Sequence, residues 1–277
     1  MTTKTALVTG ASSGIGESTA RKLQSLGFTV YGAARRTDRL QKLAAEGIRP
    51  LGMDVTDEQS MKDGVAKIIA ETGRIDVLVN NAGYGSYGAI EDVPIDEGRR
   101  QFEVNVFGAM ALVQLVVPHM REQKSGTIVN ITSMGGKIYT PLGGWYHGTK
   151  FALEALSDCL RLELAPFGID VVVIEPGGIA TEWGGIAADH LDESSKGSAY
   201  KRQADAVAKS LRSEANANRN SPPSVISDAI GKAVTAGRPK TRYAVGFGAK
   251  PLIAAGSILS DRQFDALITR ATGMPRD

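Results

Sequence analysis

The chain has 277 residues, 42% hydrophobic and 22% charged, and its 32 basic and 30 acidic side chains leave a formal net charge of +2. That length suits one large α/β domain whose core needs no disulfide or metal staple; a single cysteine, Cys159, and three histidines exclude an internal disulfide and leave little for a metal cluster. The near-balance of charge argues against nucleic-acid binding, no apolar run approaches the roughly 20 residues of a membrane span, and the start lacks a signal-peptide core, so a cytoplasmic protein with neither kind of partner is expected.

Short β-branched runs alternate with helical patterns. Residues 5–9 read as a buried strand. Residues 14–26 place Ile15, Thr19, Leu23 and Leu26 on one helix face, closed by Gly27. A strand over 28–32, a helix over 37–46 and a strand over 48–53 follow. Thr56 reads as the N-cap of a helix to Thr72. Further strands are expected at 75–79, 126–131, 169–174 and 243–245. This rhythm implies right-handed crossovers and a single-domain α/β fold: a doubly wound parallel sheet of about seven strands with helices on both faces.

Two long helices, 98–121 and 145–166, each carry two apolar stripes. In the second these are Phe151, Ala155, Cys159, Leu162 and Leu153, Leu156, Leu160, Leu164. One stripe packs on the sheet, and the other needs a cover that a second subunit can supply. A homo-oligomer is therefore expected, with Leu153, Leu156, Leu160 and Leu164 between subunits alongside Val104, Phe107, Ala111 and Leu115. Residues 184–221 are polar and lose hydrophobic periodicity, the mark of a lid or binding loop or else of a disordered segment. The tail, 249–277, holds Leu252, Ile253, Ile258, Leu259, Phe264, Leu267 and Ile268. That is apolar surface enough to cover the helix patch or to close a pocket.

The first chemical signal is Thr9-Gly10-Ala11-Ser12-Ser13-Gly14-Ile15-Gly16, at the first strand-to-helix turn. Glycines there let the backbone approach a pyrophosphate, and a helix N-terminus offers unpaired N–H groups with the positive end of a dipole. The spacing TGxxxGxG resembles that of the short-chain dehydrogenases/reductases. So do Asn80-Asn81-Ala82-Gly83 after the fourth strand, Asn105 within a long helix, Ser133 after the fifth strand, the pair Tyr146 and Lys150, and Pro176-Gly177-Gly178 with Thr181 after the sixth. The ordered set resembles the single-domain branch that includes hydroxysteroid and retinol dehydrogenases. The resemblance implies a Rossmann fold binding a nicotinamide cofactor through Gly10, Ser12, Ser13, Gly14, Ile15, Gly16, Asp54, Val55, Asn81, Ala82, Gly83, Pro176, Gly177, Ile179 and Thr181. It further implies that Lys150 holds the nicotinamide ribose and that Asn105 anchors a water relaying protons to Lys150.

Residue chemistry points the same way. Tyr146 and Lys150, at i and i+4, share a helix face. A phenol with an ordinary pKa near 10 is a poor base at neutral pH, and a neighbouring ammonium lowers that value. Tyr146 can then exchange a proton with a carbinol oxygen that Ser133 also bonds. Tyr139 is the rival tyrosine, but Gly143 stands where its lysine should be. Asn105, a poor helix former, is flanked by Val104, Val106 and Phe107, which suggests burial. His147 points off the Tyr–Lys face and reads as structural or exposed rather than as a base.

At the end of the second strand, an acid would bind the adenosine ribose hydroxyl and an arginine would accommodate a 2′-phosphate. Arg35 and Arg36 precede the first acid, Asp38, which favours NADP(H) over NAD(H). Tyr84, Tyr87, Met134, Ile138, Tyr139, Leu142, Trp145 and Trp183 lie in segments at the carboxyl ends of strands, where such sheets bind ligands. The expected substrate is a small, apolar ketone, aldehyde or alcohol. The alternative is an NADP(H)-sensing regulator without turnover.

Overall fold

The computed structural model describes residues 3–213 and 218–275. Seven parallel strands form one sheet in the order β3-β2-β1-β4-β5-β6-β7. They are β1 (Thr5–Thr9), β2 (Thr29–Ala34), β3 (Arg49–Gly52), β4 (Val77–Asn80), β5 (Gly126–Ile131), β6 (Ile169–Pro176) and β7 (Arg242–Val245). Successive side chains of a strand point to opposite faces, and here both faces are covered, as a parallel sheet requires. Ala6, Val8, Val77, Val79 and Val129 meet α1 (Gly14–Ser25), α2 (Thr37–Ala44) and α9 (Ser224–Thr235) through Leu23, Leu40 and Ile230. Leu7, Leu78 and Ile128 meet α3 (Glu58–Thr72), α5 (Gly108–Gln123) and α6 (Gly144–Leu164) through Ile68, Leu112 and Leu164.

Several local expectations change. The α3 N-cap is Asp57, whose carboxylate accepts from the Gln59 and Ser60 amides at 2.9 and 3.2 Å. Thr56 instead donates its hydroxyl to Asp54 at 2.8 Å. The first long helix is α4 (Ile95–Phe102), a π-helical turn over Glu103–Phe107, and α5. This run, Ile95–Gln123, is long and apolar enough by composition to cross a membrane, against the expectation of no such stretch; 44% of its apolar window is buried inside the protein.

The polar stretch after residue 183 is helical. α7 (Trp183–Ser194) and α8 (Lys201–Arg212) pack through Ala187, Ala188, Leu191, Ala204, Val207 and Ala208, all buried. Alanines let the two helices approach closely while adding little hydrophobicity, which hid the period from view. Residues 214–217 of the expected lid lie outside the described residues. The tail forms α10 (Ala249–Ile258) and α11 (Asp261–Thr272), the latter opened by a Ser260–Gln263 capping box.

The stripe assignment on α6 changes in part. Leu153 and Leu164 are core residues, Leu160 is half-buried, and Leu156 faces outward with Phe151, Ala155, Cys159 and Leu162. The tail does not lie over that outward stripe. Phe264, Ile268, Leu252 and Leu259 instead pack on Ile138 and Met134, in the segment after β5.

Candidate active site

The C-terminal ends of β1, β4, β5 and β6 converge on one groove. Gly10 has φ +65°, and a Cβ on Gly16 would lie 2.3 Å from the Gly10 carbonyl oxygen, so the β1–α1 turn closes only with glycine there. Asn81 braces that turn: its Nδ2 donates to the carbonyls of Thr9 (2.9 Å) and Gly10 (3.3 Å). Thr9 Oγ1 in return accepts from the Asn81 and Ala82 amides, both at 3.0 Å. Among the described residues no side chain caps the first turn of α1, whose N-cap is Ser13. Its amides and dipole therefore remain available to an anion, which fits the pyrophosphate of a dinucleotide. Thr181, at the start of the segment leading to α7, lies over this helix end, 3.1 Å from where a Gly14 Cβ would sit.

The flanks of the groove also fit a dinucleotide. Arg35 is exposed at the end of β2, and Arg36 Nη2 lies 3.3 Å from Ser12 Oγ. Asp54 Oδ1 accepts from the Thr56 amide at 3.0 Å, and Val55 packs its backbone and side chain against Gly108 of α5. Pro176 ends β6, the Gly177 amide donates to the Val245 carbonyl at 2.8 Å, and Ile179 bridges to Ser221.

Ser133, Tyr146 and Lys150 come together at the other end of the groove. Ser133 caps the 3₁₀ turn Met134–Gly136, its Oγ accepting from the Gly135 amide at 2.9 Å. The same hydroxyl lies near enough to the Tyr146 phenol to lower its pKa. Lys150 Nζ donates to the Ile131 carbonyl at 2.9 Å and stands 5.9 Å from the Tyr146 ring centroid. Both side chains are buried. Asn105, in the π turn, is also buried; its Oδ1 accepts from the Tyr84 amide (3.0 Å) and its Nδ2 donates to the Tyr84 carbonyl (2.9 Å) and Thr149 Oγ1 (3.0 Å). Asn105 Oδ1 and Lys150 Nζ flank Gly83, whose hypothetical Cβ would lie 3.0 and 3.8 Å from them.

The electrostatics differ from the simple picture of an ammonium lowering a phenol pKa. Burial raises the Tyr146 phenol above its ordinary value, and the Ser133 hydroxyl only partly opposes this. Burial also pushes the Lys150 ammonium down to about 8, against the pull of Glu154. With the lysine bonded to a backbone carbonyl and itself desolvated, its effect on the phenol is outweighed. The Tyr146 phenol thus keeps its proton at neutral pH.

Trp183 forms the roof. Its ring centroid is 5.1 Å from that of Tyr146 and 5.8 Å from that of Tyr87, and its indole packs so closely on Gly85 that a Cβ there would lie 2.6 Å away. Leu142 completes this apolar cluster, and Tyr84 donates to Glu97 at 2.9 Å nearby. Other expected pocket residues are elsewhere. Met134, Ile138 and Tyr139 are taken up by the tail, the Tyr139 ring lying 5.2 Å from Phe264. Trp145 packs on Gly98 and Phe102 of α4.

His147 is buried and staples the loop: Nδ1 lies 2.8 Å from the Gly135 carbonyl, and Nε2 accepts from the Thr140 amide at 3.0 Å. That pairing requires the neutral ring protonated on Nδ1, and burial lowers its pKa accordingly. Sequence reading overlooked Glu154 and Thr132, described below; an acid at i+4 from Lys150 on a buried face was the available signal. No group of three metal-ligating side chains occurs among the described residues.

A family model described as short chain dehydrogenase matches residues 4–190. The chain belongs to that family. A 3-ketodihydrosphingosine reductase from Bacteroides thetaiotaomicron is 38% identical over 242 residues, covering 87% of each protein. A short-chain dehydrogenase from Streptomyces avermitilis superposes with a TM-score of 0.77 at 32% identity, covering 99% of this chain and 96% of that one. A metagenomic short-chain oxidoreductase in complex with NADP gives a TM-score of 0.69 at 27% identity over 87% of this chain and 96% of its own. A 3-ketoacyl-(acyl-carrier-protein) reductase from Brucella melitensis, complexed with NADH, gives 0.73 at 25% identity over 89% and 98%. This short-chain dehydrogenase is accordingly an oxidoreductase of small molecules, and its groove fits a nicotinamide dinucleotide.

Proposed function

We propose that this short-chain dehydrogenase interconverts a carbonyl group and an alcohol on a small apolar substrate with NADP(H), Tyr146 serving as the acid/base. The convergence of Ser133, Tyr146 and Lys150 beneath Trp183 carries this reading. The bound dinucleotide supplies or accepts the hydride at the carbonyl carbon. In reduction the substrate oxygen accepts a hydrogen bond from Ser133 and the proton of Tyr146, so hydride and proton together complete the alcohol. Lys150 binds the nicotinamide ribose and, with Asn105, returns the proton to Tyr146. Trp183, Tyr87 and Leu142 exclude water and favour an apolar substrate. A ketone agrees with the Bacteroides relative, a 3-ketodihydrosphingosine reductase.

Preference for the phosphorylated cofactor rests on Arg35 and Arg36, beside Ser12 and ahead of any acid. Two positive charges at the adenosine ribose favour a 2′-phosphate and leave a bare ribose without a carboxylate partner. The reading is tested by following NADPH and NADH absorbance over a panel of apolar ketones, aldehydes and secondary alcohols. Turnover with NADPH well above that with NADH is expected; cofactor binding without turnover of any member would make the protein a sensor instead.

The same reading includes a homo-oligomer. Phe107, in the π turn before α5, is 55% exposed, and Phe151 and Leu162, 44% and 71% exposed, lie with Ala155 and Cys159 on the outer face of α6. Exposed apolar side chains at this spacing would suit two-fold self-pairing.

A further inference from the structure

A buried ionic cluster lies one helical turn along α6 from Lys150. The Glu154 side chain is 4% exposed and is met from three directions. Its Oε1 lies 2.6 Å from Thr132 Oγ1, which is also 3.0 Å from the Ile174 carbonyl. Its Oε2 accepts from Arg242 Nε and Nη2 at 3.1 and 3.0 Å and pairs with Lys137 Nζ at 3.0 Å. Thr132 immediately precedes Ser133, and Lys137 immediately follows the 3₁₀ turn that Ser133 caps. That turn rests directly on α6: a Cβ on Gly136 would lie 2.9 Å from Glu154 Cγ and 2.9 Å from the Lys150 carbonyl oxygen.

We propose that Glu154 is a positioning residue for the reaction: its carboxylate grips Thr132 and Lys137, on either side of Ser133, and so holds the Ser133 hydroxyl against Tyr146 and Lys150. The proposal rests on the catalytic reading of those three residues given above. Glu154 also supports the buried ammonium of Lys150, which faces Tyr146 and the Ile131 carbonyl. The groups around Glu154 are Lys137 on the turn, Glu175 on β6, Arg242 on β7, and Lys150 and Asp158 on its own helix. Asp158 shares Arg242 with Glu154, at 2.6 Å from Nη2, and pairs with Arg161. No bond joins it to the Ser133 turn among the described residues. A cluster serving only to glue α6 to the sheet would lose stability when either acid is removed, the buried Glu154 more than the half-exposed Asp158, while kcat of the folded protein stayed unchanged.

The test uses the full chain with NADPH and benzil, an apolar diketone. Glu154→Gln keeps an acceptor for Thr132 but removes the charge that holds Lys137. It is expected to lower kcat roughly tenfold to a hundredfold, as small misplacements of reacting groups do, with KM for benzil within about twofold. The alkaline limb of its pH profile should move to lower pH by about one unit, because Lys150 loses its nearest counter-charge. Lys137→Met, at a half-exposed position that spares the fold, should lower kcat less and leave that limb in place. Asp158→Asn should keep kcat within about twofold. Wild-type kcat and pH profile in Glu154→Gln overturn the proposal, as does an equal loss in Asp158→Asn. Tyr146→Phe separates the two readings. An inactive Tyr146→Phe beside a normal Glu154→Gln overturns the positioning role alone. An active Tyr146→Phe, or a wild type that reduces neither benzil nor the carbonyl panel, overturns the catalytic reading together with it.

Discussion

The two faces of α6 invert the usual order of an amphipathic helix. Toward the protein it turns Tyr146, Thr149, Lys150, Glu154 and Ser157, all buried. Toward solvent it turns Phe151, Ala155, Cys159 and Leu162, all exposed. The inner polar face is tolerated because its groups are bonded: Ser157 Oγ donates to the Leu153 carbonyl at 2.6 Å and accepts from Asn130 at 2.8 Å, and Thr149 donates to the Tyr146 carbonyl at 2.7 Å. Buried polar groups cost little only when satisfied in this way. The outer apolar face has no such compensation within one chain. The proposed reaction would account for the inner face, and the proposed self-pairing for the outer one.

The sharpest way to break the inner face is Tyr146→Phe. It should lower turnover by roughly two orders of magnitude, the common share of acid–base catalysis, while NADPH affinity by fluorescence titration stays nearly constant. Next is the pH response of Lys150. Its ammonium is held down to about 8 in the fold, so it is charged below that pH and lost as pH rises through it. Turnover and NADPH affinity should therefore fall together above about pH 8, and Lys150→Ala should abolish that limb along with most activity. A smaller effect is expected at the far end of the groove. Arg35→Ala should reduce the NADPH-to-NADH affinity ratio by about tenfold, measured by titrating both cofactors, since one charge-assisted contact to phosphate is removed. An unchanged ratio would make Arg35 a solvated surface residue.

The smallest effect on the folded chain should come from the outer face. Leu162→Glu lies at a position 71% exposed and should change monomer stability by no more than about 0.5 kcal/mol in chemical unfolding. Its effect on mass should be large. Light scattering of the unaltered protein is expected to give at least twice 29.3 kDa, and the variant 29.3 kDa. An unaltered protein that is itself monomeric would remove the partner-surface reading of this face.

Much of the groove was legible because it is written in local pattern. Gly10, Gly14 and Gly16 mark a turn that backbone geometry demands, Asn81 follows a strand end, and Tyr146 and Lys150 lie one helical turn apart. Elements formed through distant partners were harder to read. Nothing local distinguishes the stripe of Leu153 and Leu164 from that of Phe151 and Leu162, since both keep helical spacing. The hairpin of α7 and α8 was hidden by its alanines. The N-cap was displaced by one residue because Thr56 and Asp57 are both good caps, and Asp54 engages the threonine.

The sequence by itself determined the alternation of strands and helices, the glycine turn and which side chains are proposed to react. All of these follow from backbone sterics and short-range periodicity, which need no distant contact. Only the tertiary structure decided which face of α6 is inside, where the tail packs, and the ionisation of the site. The Lys150 ammonium is pushed down and the Tyr146 phenol up because β5, α6 and α7 together remove water from them. Desolvation is a property of everything packed around a group, and Glu154, Lys137 and Arg242 meet only once residues 88 positions apart in the chain have folded together.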